Sequence, residues 1–422
     1  MVAYPGRLLL GRDYDFIKGG PGQSEVLLTA RTLTEHALCL GGTRAARTEL
    51  ALVLLEETLL QGIPCIAVDA SGFTEPLAAC LQEGKQPSTP LQERVHIDVY
   101  SPGSAAGTPI NLLPSFRPPP SGALRRSQQA DDLREQLEYL ISALLALTTT
   151  GGELPTERDR ALLQLVLEPA WRAEVPLTPA LLVRQLQDPP VRRLGTTDLD
   201  ALCSPTERAK LTLALSHALS QPLFAEWGEI ATPLEMARLI APKPVQGRPI
   251  GKTRAVVFRV EALNLNERGC FVTLLLSAAL SWARAQTGAP VLRLLIYLDE
   301  AATQALLHTI ATVRHSPAQA LTNTRRPTGV GLVMSAEASD SLHAVQTLRA
   351  NTWLVGQLVE GDLRRQITAL LARLGGFSDV GYLDETLSSL SDGAFLLHNK
   401  SSAGKYVYLR APACRADSKA GT

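Results

Sequence analysis

The sequence predicts an α/β fold: a mostly parallel sheet flanked by helices, with a helical insertion. Three observations predict it. Short, continuous apolar runs alternate with longer segments of helical period, as strands buried on both faces require. These runs lie towards the two ends of the chain, whereas residues 117–245 are leucine-rich, proline-punctuated and helical in pattern. The last two runs, "GAFLLHN" and "KYVYLRA", are close enough in sequence to form an antiparallel hairpin, expected at the sheet edge.

Taken in order, "HALCLGG" reads as a buried strand and "RTELALVLLEETLLQG" as a helix carrying Leu50, Val53, Leu54 and Leu60 near helical spacing. "IPCIAVDA" is the next strand, so the three form a strand-helix-strand unit with a right-handed crossover. "RVHIDVYSPG" adds a further strand and turn. Strands resume at "RAVVFRV", "VLRLLIYLDE", "GVGLVMSAE" and "NTWLVGQL". The expected organisation is an N-terminal part of one core in residues 1–116, a helical insertion or lid in 117–245, the rest of the core in 246–411 and a flexible tail in 412–422. Within the insertion, "PTERDRALL" and "PTERAKLTL" resemble one another, but two short helix starts are thin support for a true repeat.

Composition sets the class. The chain has 422 residues, 45% of them hydrophobic and 19% charged, which is globular rather than disordered. Forty-one basic residues balance 41 acidic ones, and no basic run marks a nucleic-acid tail. A ring-shaped motor that grips phosphates with a few loop residues per subunit would still fit this balance. The longest apolar stretch, Phe271–Ala283, is too short to span a bilayer, and no secretory leader is legible at the N-terminus. Cys39, Cys65, Cys80, Cys203, Cys270 and Cys414 show no C-x-x-C pairing and read as reduced, small hydrophobes, so a cytoplasmic protein is expected.

The chemistry concentrates where the first strand meets its helix. The strand-loop-helix order of "HALCLGGTRAARTELALVLLEE" is that of a phosphate-binding loop, G-x-x-x-x-G-K-[ST]. Such a loop converges backbone N–H groups on phosphate oxygens at a helix N-terminus, with lysine on the β- and γ-phosphates and a hydroxyl on Mg²⁺. Gly41 supplies the first glycine and Thr48 the hydroxyl, with Gly42, Thr43, Arg44 and Ala45 between the ends. Ala46 replaces the second glycine and Arg47 the lysine. Alanine in a left-handed conformation costs roughly 1–2 kcal/mol. Arginine keeps the charge, but is longer, planar and forked. Taken alone, the stretch fits an ordinary strand-turn-helix equally well.

A second motif shifts the balance. "LLIYLDEA" ends an apolar strand on Asp299-Glu300, a Walker B pattern. Asp299 would hold Mg²⁺, and Glu300 would orient and deprotonate the attacking water. Ligands of open α/β sheets bind at the carboxyl ends of strands, where both motifs fall. "GRPIGKTRAVVF" is a decoy: a strand rather than a helix follows Gly251-Lys252-Thr253. The seven histidines show no metal-ligand spacing, His36 reads as structural, and no G-x-S-x-G is present. Arg325-Arg326 fit either a solvated pair or a reach towards a neighbour's nucleotide.

With these residues in hand, the chain resembles the HerA/FtsK-like group of P-loop ATPases, bacterial HerA-type ATP-binding proteins akin to the ATPases of type IV secretion. The resemblance rests on "HALCLGGTRAARTELALVLLEETLLQGIPCIAVDASG", "LLIYLDEA", "RRPTGVGLVMSAE", "NTWLVGQL" and "DGAFLLHN", in order, through nearly the whole chain. It implies a P-loop NTPase core, ATP and Mg²⁺ as cofactors, a homo- or hetero-hexameric ring, and DNA or protein as the substrate moved. It implies Gly41 to Thr48 as the phosphate loop, Thr48 and Asp299 on the metal, Glu300 as catalytic base, Glu337 at the sensor position and Arg326 as a trans-acting arginine.

The chain departs from the group's pattern wherever phosphate would be met. Arg44, Ala45, Ala46 and Arg47 fill the second half of the loop. Ser71 and Phe73 stand where the group has a lysine and a second acid, and Glu337 stands where it has a glutamine. These changes favour a pseudo-ATPase that keeps the scaffold as a structural or regulatory ring subunit. A working ATP-dependent translocase or helicase with an atypical loop is the alternative, and a binding protein using the same cleft for another ligand is the third.

Overall fold

The computed structural model describes residues 4–81, 89–104, 107–118, 126–149, 154–175, 177–191, 193–194, 196–221, 224, 232–246, 250–286, 291–313, 315–323, 328–337, 347–374, 379–399 and 402–416. The main strands are β1 (Arg7–Asp15), β2 (Gly20–Thr29), β3 (Ala37–Leu40), β4 (Cys65–Asp69), β5 (Val95–Tyr100), β6 (Thr253–Arg259), β7 (Leu294–Leu298), β8 (Val330–Ala336), β9 (Thr352–Val355), β10 (Ala394–Asn399) and β11 (Ser402–Leu409). The main helices are α1 (Arg44–Leu60), α2 (Arg126–Leu147), α3 (Glu157–Arg172), α4 (Pro179–Gln187), α5 (Pro205–Leu219), α6 (Leu265–Arg284), α7 (Glu300–Thr312), α8 (Gly361–Leu374) and α9 (Val380–Ser389).

Among the described residues the strands form one 11-stranded sheet, in the order β2-β1-β11-β10-β9-β3-β8-β7-β4-β6-β5. From β9 to β5 every neighbouring pair is parallel, and the four pairs from β2 to β9 are antiparallel. This is the mostly parallel α/β sheet that the apolar runs predict. Both faces are covered, and side chains alternate between them. Leu38, Leu40, Ile66, Val68, Leu294, Ile296 and Leu298 enter one core, shared with α2, α3 and α6. Ala37, Cys39, Cys65, Ala67, Leu295 and Tyr297 enter the other, beneath α1. A strand with period-two side chains can be apolar throughout only when each face meets its own layer.

The helical stretch between β5 and β6 shares the first of these cores. Leu140, Leu144, Leu163 and Val166 lie in the same buried cluster as Phe258 and Phe271. The Trp171 indole N–H donates to the carbonyl of Phe116, 2.9 Å away, fastening α3 to the chain leaving β5. The two "PTER" segments are not structural repeats. Thr156 caps α3, two residues into that segment's "LPTE", whereas Ser204, before the second segment, caps α5. The same tetrapeptide therefore sits two residues out of helical register, and the segments meet instead through Arg158 and Glu207 at 2.6 Å.

One expectation needs correction. The β10–β11 hairpin forms, but not at the edge: β11 pairs antiparallel with β1, and the β1–β2 hairpin supplies the edge. Leu8 and Leu10 alternate into the core, but Gly20-Pro21-Gly22 opens β2 and obscures its strand pattern, so the sequence reading leaves the hairpin unassigned. The first residues of the expected 412–422 tail make defined contacts. The Glu56 carboxylate accepts the backbone N–H groups of Ala413 and Cys414, at 2.9 and 2.8 Å, and Cys414 is buried. Anchoring amides at the start of a turn of helix satisfies donors that would otherwise be orphaned. Residues 417–422 lie outside the described residues.

Candidate functional site

The motifs converge at the carboxyl ends of β3, β7 and β4, the position that the topology of an open sheet assigns to ligands. β3 and β7 flank β8, so the first loop and the Asp299-Glu300 pair lie one strand apart.

The loop is shorter than its sequence pattern. Only Gly41, Gly42 and Thr43 lie outside regular structure; Arg44, Ala45, Ala46, Arg47 and Thr48 are already helical. Thr43 sets the start of α1 as its N-cap, its hydroxyl oxygen accepting the N–H of Ala46 at 3.1 Å. The same hydroxyl donates to Asp392 Oδ1 at 2.7 Å. Ala45 and Ala46 are strong helix formers, so nothing opposes an early helix start.

Both glycines are explained without a phosphate. Gly41 and Gly42 have φ of +66° and +69°. A Cβ on Gly41 would lie 2.7 Å from Leu358 Cδ2 and 2.8 Å from the Gln357 carbonyl oxygen. The N–H of Gly42 donates to that carbonyl at 2.7 Å, and the N–H of Gly356 donates to the Leu40 carbonyl at 2.8 Å. The chain leaving β9 thus runs tightly beside the chain leaving β3, and the Gly42 amide points there.

Arg47 occupies the inside of the turn. Its Nη1 donates to the carbonyls of Gly42 and Gly41, at 2.8 and 3.2 Å. Its Nε donates to Glu300 Oε1 at 2.6 Å, an ion pair whose side chains are 7% and 17% exposed. The largely exposed Arg44 lies at the rim, its Nε 4.0 Å from Glu300 Oε2.

Asp299 caps α7. Its Oδ1 accepts the Ala302 N–H at 2.8 Å and its Oδ2 the Ala70 N–H at 2.7 Å. Burial, with a smaller push from nearby Asp69, raises its carboxyl to about 6 against the pull of the two amides. Asp69 is fully buried and accepts the N–H groups of Ser71, Gly72, Phe73 and Thr74, as well as the Thr74 hydroxyl. Ser71 and Phe73, the residues in the places of a lysine and an acid, belong to this turn. The Phe73 ring packs on Tyr297, centroids 5.3 Å apart.

Arg44, Arg47, Thr48, Phe73, Asp299 and Glu300 line a shared cavity of ≈ 10 Å³. That is about the space one water molecule requires. These residues, so arranged, do not fit a phosphate and Mg²⁺: the inside of the turn holds a guanidinium, one loop amide is engaged elsewhere, and Glu300 is ion-paired. Among the described residues no group of three or more His, Cys, Asp or Glu is placed to hold a metal ion. Burial pushes the Cys39 thiol beneath the loop up to about 12, so it supplies no thiolate.

Of the residues singled out from sequence, Gly41 to Thr48, Asp299 and Glu300 are brought together. Glu337 follows the last residue of β8 and is exposed; Ser335, two residues earlier, lines the cavity instead. Arg325 and Arg326 lie outside the described residues. Sequence reasoning missed Ser335, Tyr297 and Asp392. The alternation of β7 and β8 could have found the first two, since the side chains facing α1 are fixed once one is known. Gly251-Lys252-Thr253 is extended chain rather than the expected turn: Lys252 bridges antiparallel to Lys243, its Nζ donates to the Gln92 carbonyl, and Thr253 begins β6. His36 is structural: Leu332 N–H donates to Nδ1, so the proton sits on Nε2, 3.0 Å from the Leu321 carbonyl.

Solved structures share this fold. VirB4 of Thermoanaerobacter pseudethanolicus aligns over 96% of this chain and 96% of its own, with a TM-score of 0.59 and 14% identity. The plasmid coupling protein TrwB in complex with ADP and Mg²⁺ aligns over 97% and 96%, with a TM-score of 0.55 and 14% identity. The bacterial conjugative coupling protein TrwBdeltaN70, in a trigonal form in complex with sulphate, aligns over 96% and 92%, with a TM-score of 0.55 and 13% identity. The chain therefore has the P-loop ATPase fold expected from its resemblance to the FtsK/HerA-like group, and at these identities the similarity is one of fold. No protein-family model and no curated protein sequence matches the chain. No helix among the described residues is long and apolar enough to cross a membrane.

Proposed function

We propose that this chain is a HerA-like P-loop-fold protein of the DNA-translocase or helicase type in which ATP hydrolysis is impaired or lost. It serves as a structural or regulatory subunit of a hexameric ring, made of its own copies or shared with other subunits, that acts on DNA. One observation carries the reading: the Arg47 guanidinium lies inside the turn and bonds Glu300 at 2.6 Å. Hydrolysis asks Glu300 to orient and deprotonate water, and an ion-paired carboxylate is a poor base. Hydrolysis also asks the loop amides to stabilise the phosphate, and each such donor lost costs roughly 10²–10³ in rate. The helices between β5 and β6 act as the lid of this subunit, and the six free, buried thiols support a cytoplasmic setting.

The test is a nucleotide titration beside an ATPase assay on wild type, Glu300→Gln and the repaired Ala46→Gly/Arg47→Lys variant. The reading expects wild-type turnover to be absent or far below that of the repaired variant. Wild-type turnover as fast as the repaired variant's, and lost in Glu300→Gln, would overturn it. That outcome would establish the second reading, a working ATP- and Mg²⁺-dependent translocase, which is favoured by Thr48, Asp299 and Glu300 sharing one cavity. Mass in solution with and without DNA tests the ring.

A further inference from the structure

A phosphate loop converges N–H groups on an anion. In this turn the converging backbone groups are carbonyls. Gly41 and Gly42 aim their oxygens at Arg47 Nη1, 3.2 and 2.8 Å away. The opposite wall is Glu300 Oε1, 2.6 Å from Arg47 Nε. The Gly42 N–H is turned outward to the Gln357 carbonyl. The polarity of the loop is therefore inverted: its interior presents oxygen acceptors and a carboxylate, which attract a cation and repel a phosphate.

We propose that the Gly41–Gly42 turn and Glu300 form a guanidinium-binding site whose ligand is the chain's own Arg47. This side chain joins the β3–α1 turn to the β7–α7 junction where a nucleotide and its metal would otherwise join them. The inference deepens the reading above and rests on it for the comparison with a nucleotide. Chemistry selects a guanidinium over an ammonium. Nε and Nη1 reach the carboxylate and the carbonyls from two nitrogens of one rigid plane, whereas an ammonium would have to reach both from a single point. With the pair largely removed from water, the attraction is little screened.

The test is chemical rescue in the full chain. Arg47→Ala is expected to lower the melting temperature by on the order of 5 °C. Millimolar methylguanidinium is expected to restore most of that loss saturably, while methylammonium and sodium chloride at equal concentration do not. Adding Glu300→Gln to Arg47→Ala is expected to abolish the rescue. Absence of rescue, equal rescue by methylammonium, or rescue that survives Glu300→Gln overturns the site. If Arg47→Ala does not fold, the wild type decides. A slowly exchanging arginine Nε–H signal, assigned by its loss in Arg47→Lys, is expected in wild type and absent from Glu300→Gln; its absence from wild type overturns the proposal. ATP turnover by wild type as fast as the repaired variant's would sink the pseudo-ATPase reading alone, because guanidinium rescue is read without nucleotide.

Discussion

Arg47 Nε and Glu300 Oε1, contributed by α1 and α7, lie 2.6 Å apart. The pair ties together two strand ends separated by a third strand. Neither side chain is replaceable alone without leaving the other's charge in a poorly hydrated place. Glu300→Gln is expected to destabilise the chain by about 2–4 kcal/mol, and Arg47→Met by a similar amount. The double variant should lose less than the sum, because neither charge is then stranded. Denaturant midpoints for the four proteins measure the coupling, and strict additivity would remove the pair from the account.

Gly41 and Gly42 differ in what surrounds them, although both are left-handed. Gly41→Ala meets Leu358 and the Gln357 carbonyl and is expected to cost about 2–4 kcal/mol. Nothing lies nearer than 3.6 Å to a Cβ on Gly42, so Gly42→Ala should cost only the backbone conformation, about 1–2 kcal/mol. Thermal melts without nucleotide compare the two. Equal losses would show that the close approach of the β9 exit does not set the requirement.

Thr43 has two partners through one hydroxyl. Thr43→Ala removes the α1 cap and the Asp392 contact, at about 1 kcal/mol, whereas Thr43→Ser keeps both and should be nearly neutral. Destabilisation by serine equal to that by alanine, in the same denaturant measurement, would assign the effect to the methyl group.

His36 gives the stability a pH dependence. Burial lowers its folded value to about 4, against 6.5 when exposed. Between those limits the unfolded chain binds a proton that the folded chain does not, so stability falls as pH drops from 6.5 towards 4. The loss approaches about 3 kcal/mol at the lower end. Glycine accepts the φ of 65° and ψ of 159° at this position, so His36→Gly should keep the backbone and lack this component. Melting temperatures of both proteins from pH 7.5 to 4.5 read the difference, and parallel profiles would clear His36.

The parallel strands were legible because each is buried on both faces and its apolar run is unbroken, as in Leu294–Leu298. The first hairpin escaped notice because β2 opens with Gly20-Pro21-Gly22-Gln23 and shows little alternation until Val26. At the site, the substitutions at Ala46 and Arg47 announced altered chemistry, and their neighbours along the chain are all in the sequence. The destination of the Arg47 side chain was not legible, since Glu300 becomes its neighbour only through the order β3-β8-β7. The same holds for Gly41, whose sequence context suggests a ligand and whose crowding comes from Gln357 and Leu358 on another strand exit.

The pairing of β1 with β11 has a consequence for the way the chain is made. Gly11 lies opposite Leu409, and the Arg410 N–H reaches the Leu10 carbonyl at 3.0 Å. Within this sheet β1, the first strand in chain order, therefore waits for β11, the last, before its inner edge is satisfied. Until then the β1–β2 hairpin has α1 to pack on, through Leu9 N–H and Glu57, but no strand beside its inner edge, and a two-stranded hairpin is marginal in water. Synthesis at about 5–20 residues per second keeps that edge open for tens of seconds, a window in which a chaperone or another nascent strand competes for it.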